Sequence, residues 1–287
     1  MRENQTPIVL VNDRFVPEEQ AVVSVFDRGF LYGDGLFETV RVSNGRLFRW
    51  SRHMLRLHRG ANFLKLDVPA TDSRLRELAM ELIRLNGAPE GMLRLTLTRG
   101  VSARGYSPKS ASGPTLVMMM HPMVASETSE PPKWRLVTAS LRLRADDRFA
   151  GFKSCNKLVQ VIARADADAA GCDEVLFLND SGYAVETASG NLFWIDKSEI
   201  CTAPVGTGIL AGVTRSVLFE VCESLGKRVV EKSITREQLL EMEGAFASVS
   251  SLGVVEITRI DDAELRRSEL VAQIRAGYEE VLQRETG

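Results

Sequence analysis

The stretch Pro122–Lys133, Pro-Met-Val-Ala-Ser-Glu-Thr-Ser-Glu-Pro-Pro-Lys, breaks an otherwise regular succession of apolar patterns. Its proline, serine and glutamate content and its lack of large apolar side chains suit a linker rather than a core element. A chain of 287 residues is about two domains long at ~150 residues each. The break therefore predicts a smaller N-terminal domain over 1–121, a linker over 122–133 and a larger domain over 134–287.

Each side of the break carries both helix and strand signals. Pro7–Phe15 reads as a hairpin turning at Asn12-Asp13. Leu36–Val42 has strand composition, and Gly45 turns the chain into Arg46–Trp50. Ser51 is the expected N-cap of a helix with Met54, Leu55, Leu57 and Ala61 at helical spacing. Asp72–Asn86 places Leu75, Leu78, Ala79, Leu82 and Ile83 on one helical face. Gly91–Arg99 alternates as a half-buried strand, and the apolar Pro114–His121 reads as a strand covered on both faces. Beyond the break, strands are expected at Arg135–Ser140, Glu174–Asn179, Ala184–Glu186 and Leu192–Ile195. Helices are expected at Cys155–Ala170, Thr214–Leu225 and Thr235–Met242. The fold class is α+β, or mixed α/β, in two lobes.

Composition narrows the chemistry. With 36 basic and 38 acidic residues the net charge is −2, so no global field favours nucleic acid or an anionic membrane. No run approaches the ~18 apolar residues of a spanning helix. The opening Met-Arg-Glu-Asn-Gln-Thr-Pro lacks the apolar stretch of a signal peptide, so a soluble cytoplasmic protein is expected. Four cysteines in no CxxC pair make no disulfide framework. His53, His58 and His121 are the three histidines. His53 and His58 lie five apart, off the i,i+4 spacing that aligns two ligands on a helix. No metal site is expected, and a Ser-His-Asp triad has little to draw on. Any catalysis must come from a cofactor, a carboxylate or one of the few lysines.

Three segments have chemistry to offer, each with an ordinary alternative. Gly208–Arg215 is a glycine turn opening a helix, which makes either a phosphate cradle or a plain helix start. Lys153, beside Phe149, Ala150, Gly151 and Phe152, is either a desolvated and hence nucleophilic amine or an exposed residue at a helix start. Glu186 lies in an apolar stretch, either as a buried carboxylate with a cationic partner or as a surface strand residue. Gly29–Gly35 is glycine-rich but lacks the strand–GxGxxG–helix context of a nucleotide loop.

Taken in order, five motifs resemble the fold-type IV pyridoxal-phosphate enzymes: branched-chain aminotransferase, D-amino-acid transaminase and aminodeoxychorismate lyase. They are Asp27–Arg41, His53–Leu57, Lys153–Leu158, Glu186–Phe193 and Leu210–Arg215, and they span nearly the whole chain. The resemblance implies the two-domain α+β architecture of that family and pyridoxal 5'-phosphate as cofactor. Lys153 would carry the cofactor as a Schiff base and shuttle protons. Glu186 would pair with the pyridine nitrogen. Arg56, the amides of Val213 and Thr214 and the Thr214 hydroxyl would meet the phosphate. Leu210 would pack on the ring, and Ser189 and Ser251 are further cofactor contacts implied by the same likeness. Tyr32, Phe37, Arg104 and Tyr106 would face the substrate, although Arg104 also reads as a surface arginine and Tyr32 as a core tyrosine. A homodimer acting on a small amine or amino acid is implied too.

Departures from each branch of the family narrow the reaction. No tyrosine follows Lys153, which argues against branched-chain specificity. Phe37-Glu38-Thr39 stands where D-amino-acid transaminases read Tyr-Glu-Val, and Arg104-Gly-Tyr106 where they have Arg-x-His. Arg99–Pro108, Phe37–Thr39 and the Lys-x-x-Asn-Lys-Leu run at Lys153–Leu158 resemble the lyases more closely. The expected reaction is release of pyruvate from 4-amino-4-deoxychorismate to leave 4-aminobenzoate, with transamination of D-amino acids as the alternative.

Overall fold

The computed structural model describes residues 6–123 and 130–287, so the middle of the expected linker lies outside the described residues. The chain divides into two compact units. The first comprises Met1–Ser126, Phe152–Asn156 and Leu282–Gly287, and the second Glu127–Gly151 and Lys157–Val281.

The first unit is built on one antiparallel sheet. Its strands are β1 (Ile8–Val11), β2 (Arg14–Pro17), β3 (Gly35–Ser43), β4 (Arg46–Leu47), β5 (Gly91–Thr98) and β6 (Thr115–Pro122), in the order β2-β1-β6-β5-β3-β4. A short helix α1 (Arg28–Tyr32) precedes β3, and α2 (Trp50–Leu64) and α3 (Asp72–Asn86) follow it. Leu36, Val40 and Val42 of β3 share a core with Met54, Leu57 and Ala61 of α2 and Leu75, Ala79 and Leu82 of α3. Side chains so buried contribute about 1.5–3 kcal/mol each, which is what holds two mostly polar helices on the sheet.

α3 matches the span read from the sequence because both ends are signalled. The Thr71 hydroxyl accepts from the Arg74 amide, and Gly87 closes the helix at φ 54°. Two other expectations need correction. Ser51 does not cap α2: the helix starts at Trp50 from a left-handed Arg49 (φ 55°), because Trp50 is buried and Arg49 is tied to Glu285 at 2.7 Å. β6 is not covered on both faces. Leu116, Met118 and Met120 point into the core while Val117 and Met119 are half-open.

The second unit holds a nine-stranded sheet. β7 (Lys133–Thr138), β8 (Glu174–Leu178), β9 (Ala184–Glu186), β10 (Asn191–Asp196), β11 (Glu199–Thr202), β12 (Val229–Glu231), β13 (Gly244–Val249) and β14 (Gly253–Ile260) run in the order β12-β11-β10-β13-β14-β7-β8-β9, with β15 (Ala263–Glu264) on β14. β9 also pairs with β10, Asn191 opposite Glu186, which closes six of the strands into a ring. The helices are α4 (Leu158–Ala169), α5 (Val213–Ser224), α6 (Arg236–Leu240) and α7 (Glu269–Thr286), the last turn of which belongs to the first unit. β8 and β13, apolar but for Glu174 and Ser248, are buried along their whole length. No described helix is long and apolar enough to cross a membrane.

The sequence alone puts Lys153 in the C-terminal domain, and the structure groups its segment with the first unit instead. Backbone pairing is the reason. β4 covers only the far end of β3, so the near end of β3 is an open edge. Residues 153–155 fill it: the Phe37 amide donates to the Lys153 carbonyl and the Cys155 amide to the Gly35 carbonyl, both at 2.9 Å, with Leu36 bridged to Ser154.

Candidate active site

Strand β3 gathers the first set of residues. The edge pairing sets Lys153 half-buried, with its ammonium 4.9 Å from the centre of the Phe37 ring. Arg94 of β5 lies 3.9 Å from the same ring, and burial lowers its pKa from the ordinary guanidinium value. An aromatic face turned to two cations suits a site that binds an anionic ligand.

The next residue along, Glu38, falls in the core-facing row Leu36–Glu38–Val40–Val42 and is 1 % exposed. A carboxylate there must be paired. Arg56 of α2 grips it with Nε at 2.8 Å and Nη2 at 2.6 Å, and His53 Nδ1 lies 2.7 Å from Oε2. Burial alone would raise the Glu38 pKa, but the Arg56 charge and the hydrogen bonds outweigh it and hold the carboxyl down to about 2. The His53 pKa is lowered: burial disfavours the cation, and the charges of Arg56 and Lys153 add to that against the pull of Glu38. The ring is therefore neutral at pH 7, and the tautomer that pairs with Glu38 donates from Nδ1.

Sequence reasoning missed Glu38 and His53. A glutamate in a period-two buried row, and His53 three residues before Arg56 on a buried helix face, were the available signals. Arg56, which the resemblance assigns to the phosphate, has two of its nitrogens on Glu38.

The residues assigned to the substrate belong to the first unit as well. Phe37 is buried beside Lys153. Tyr32 and Tyr106 bring their rings to 5.4 Å at an interplanar angle of 57°, and the Tyr32 hydroxyl accepts from the Gly105 amide at 3.4 Å. Tyr106 and Arg104 are exposed, and Arg104 makes no hydrogen bond or ion pair among the described residues.

The second set lies on the ring of strands in the other unit. Glu186 ends β9, and its Oε2 accepts from the Leu210 amide at 3.1 Å and from Asn191 Nδ2 at 3.4 Å. Asn191 Nδ2 also donates to the Leu210 carbonyl at 2.8 Å, so Glu186, Asn191 and Leu210 form one bonded triangle. Gly212 then begins α5 without a side-chain cap. The amides at the start of that helix lack intrahelical acceptors, and the Thr214 hydroxyl stands 3.4 Å from Ser250 Oγ. The hydroxyl that meets Thr214 belongs to Ser250, the neighbour of the expected Ser251. Ser189 donates at 2.6 Å to the buried Glu174 and so secures its own loop.

This donor set fits pyridoxal phosphate. An uncapped helix start with a threonine hydroxyl is an anion cradle. A β-carbon at Gly212 would lie 2.1 Å from Asn191 Oδ1, so the Asn191 amide group fills the place a side chain would take. Glu186, bonded to two N–H donors, is held as an acceptor for a protonated ring nitrogen, and Lys153 is an amine against an apolar ring.

Residues 35–260 match the family model for amino-transferase class IV. The chain belongs to the class IV aminotransferases. These are pyridoxal-phosphate enzymes of fold type IV, and the chain shares that fold and cofactor. It is 34% identical to a Methanocaldococcus jannaschii protein described as "Putative branched-chain-amino-acid aminotransferase", and 31% to a D-alanine aminotransferase of Bacillus licheniformis, with 88% of each chain covered in both pairings. It is 29% identical to an aminodeoxychorismate lyase of Bacillus subtilis, covering 89% of this chain and 87% of that one. A solved branched-chain aminotransferase from the archaeon Thermoproteus uzoniensis, with norvaline, superposes with a TM-score of 0.88 at 30% identity, covering 98% of this chain and 96% of the other.

Proposed function

We propose that this class IV enzyme cleaves 4-amino-4-deoxychorismate to 4-aminobenzoate and pyruvate, with Lys153 as the residue that carries the cofactor and moves the proton. The observation that carries the reading is the edge pairing at β3, which fixes the 153–155 backbone with two hydrogen bonds, one of them to the Lys153 carbonyl, and sets the Lys153 amine against Phe37. When bound, pyridoxal phosphate supplies an electron-withdrawing ring that stabilises negative charge next to the substrate nitrogen. Lys153 Nζ takes the substrate ring proton whose loss leads to aromatisation. Glu186, kept as an acceptor by Leu210 and Asn191, pairs with the pyridine nitrogen, while Leu210 packs on the ring. The Val213 and Thr214 amides, the Thr214 hydroxyl and the Glu38-held Arg56 bind phosphate, with Ser189 and Ser251 as lesser contacts. Arg104, with Tyr32, Phe37 and Tyr106, receives the substrate and its carboxylate.

Support for the lyase over other class IV reactions lies in the Lys153–Leu158 run. Its Asn156 donates to the Gly33 carbonyl at 3.0 Å and fills the space over that left-handed glycine, so the run that resembles the lyases also braces the turn into β3. The same reading includes a cytoplasmic homodimer, supported by Val22, Val25, Phe26 and Phe30, which are 62–76% exposed in one short segment. It also keeps the domain division at 122–133.

The test is the purified holoenzyme with 4-amino-4-deoxychorismate. The expected result is equimolar 4-aminobenzoate and pyruvate, abolished by Lys153→Ala. A second reading, transamination of D-amino acids with a 2-oxo acid, is favoured by the relatives at 34% and 31% identity, both described as aminotransferases. D-alanine distinguishes the two. Stoichiometric conversion of the cofactor to its amine form by D-alanine, with no 4-aminobenzoate formed from the other substrate, replaces the lyase with the transaminase.

A further inference from the structure

Arg28 lies in none of the roles above, yet it is 4 % exposed and makes more side-chain hydrogen bonds than its place on a five-residue helix requires. Its Nε donates to Asp34 Oδ2 at 2.7 Å. Its Nη1 donates to the carbonyl of Gly105 at 2.9 Å, with Ser102 Oγ at 3.2 Å and the Ser107 carbonyl at 3.3 Å, and Nη2 donates to the Tyr106 carbonyl at 3.0 Å. Three consecutive carbonyls thus converge on one buried cation. Asp34 is in turn held by Arg99, at 2.8 and 3.0 Å, and the two arginines keep its carboxyl below the usual range although burial alone would raise it. Tyr32 completes the hub, its ring 5.0 Å from the Arg28 guanidinium carbon and its hydroxyl on the Gly105 amide.

With the carbonyls of Gly105, Tyr106 and Ser107 turned inward, the turn leaves its two large side chains exposed. The two residues it presents are Arg104 and Tyr106, and Gly105 between them sits at φ 114°, where only glycine is at ease. We propose that Arg28 is the positioning residue for the substrate-carboxylate contact: it fixes the 102–107 turn so that Arg104 and Tyr106 stand ready before substrate arrives. The inference rests on the assignment of Arg104 to the substrate carboxylate. Only a planar guanidinium, with five N–H donors in one fork, meets a carboxylate and three carbonyls together; a lysine ammonium at the same place keeps the charge and loses the fork. Ordering this loop in advance lowers the cost of binding without touching the bond that reacts, so its signature is in KM and not in kcat.

The test compares Arg28→Lys, Arg104→Gln and the double variant as holoenzymes whose cofactor absorbance matches the parent. Kinetics use 4-amino-4-deoxychorismate, or D-alanine if the enzyme is the transaminase. Arg104→Gln is expected to raise KM about tenfold or more and Arg28→Lys about fivefold to twentyfold, each with kcat within about twofold. The double variant should match Arg104→Gln alone, because Arg28 acts through the residue already removed. Independently of any substrate, trypsin should cut Arg28→Lys after Arg104 or Lys109 about tenfold faster than the parent. An unchanged KM for Arg104→Gln overturns the carboxylate assignment and, with it, this role for Arg28. A normal Arg104→Gln effect with unchanged KM or unchanged proteolysis in Arg28→Lys overturns the positioning role alone. Additive losses in the double variant also overturn it, since they assign Arg28 a separate, general structural role.

Discussion

In the first unit three arginines are held by carboxylates: Arg56 by the buried Glu38, and Arg28 and Arg99 by the half-buried Asp34. In the second unit the groups proposed for the phosphate are backbone amides at the start of α5, and the carboxylate proposed for the ring nitrogen, Glu186, is itself held by a backbone amide and the Asn191 side chain. The two constructions differ in what a substitution costs. Removing a carboxylate from the first unit strands a buried cation, so the fold suffers before the chemistry is reached. Disturbing the second unit moves an amide or a glycine whose neighbours are fixed by sheet pairing, so the binding site suffers first.

The largest expected effect follows from the first half of that contrast. Glu38→Gln takes the carboxylate from Arg56 and His53 and should destabilise the apoprotein by about 3–5 kcal/mol in denaturant unfolding. A loss below ~1 kcal/mol would mean that the pair is no more costly to break than a surface ion pair. Gly212→Ala probes the second half. Its new methyl meets Asn191 Oδ1, and Asn191 is buried and bonded to Leu210, so it has little freedom to move aside. Here we expect about 1–3 kcal/mol of overpacking and about tenfold weaker cofactor binding by equilibrium dialysis. Unaltered cofactor affinity would remove the α5 start from the phosphate site.

The smallest effect is a pH dependence. His53 is buried neutral with a lowered pKa, so the unfolded chain takes up a proton that the folded chain refuses. Its contribution is present above about pH 6.5 and declines as the pH falls below that value. Glu38, held near 2 against an ordinary 4.5, contributes stability that is present above about pH 4.5 and is lost as the pH falls from there through about 2. Both terms favour neutral over acidic conditions. His53→Gln should flatten the thermal-stability profile between about pH 5 and 7 while leaving the steeper acid limb. A profile unchanged in the upper window would show that His53 is not the group titrating there.

The same contrast explains what could be read in advance. The second unit announces itself in short-range patterns: a glycine turn before a helix at Gly208–Arg215, and Glu186 followed five residues later by Asn191. β9 was located to the residue, as was α3 in the first unit, whose cap residues Thr71 and Gly87 are adjacent to it in the chain. The first unit's site depends on distant partners. Glu38 and Arg56 are 18 residues apart, Arg28 and the Tyr106 carbonyl 78, and Asn156 and the Gly33 carbonyl 123. No periodicity spans such distances. Lys153 could be picked from eight lysines by motif order, but its place on the open edge of β3 follows from how short β4 is, which no local pattern carries.

The central claim is that Lys153 is the cofactor-bearing lysine, and borohydride reduction of the holoenzyme followed by peptide mapping tests it most directly. The account predicts a pyridoxyl group fixed on Lys153 in the peptide that spans Phe152–Leu158, with Lys157 unmodified. A label on Lys157 or any other lysine, or a protein that takes up no label while its cofactor is bound, would contradict it.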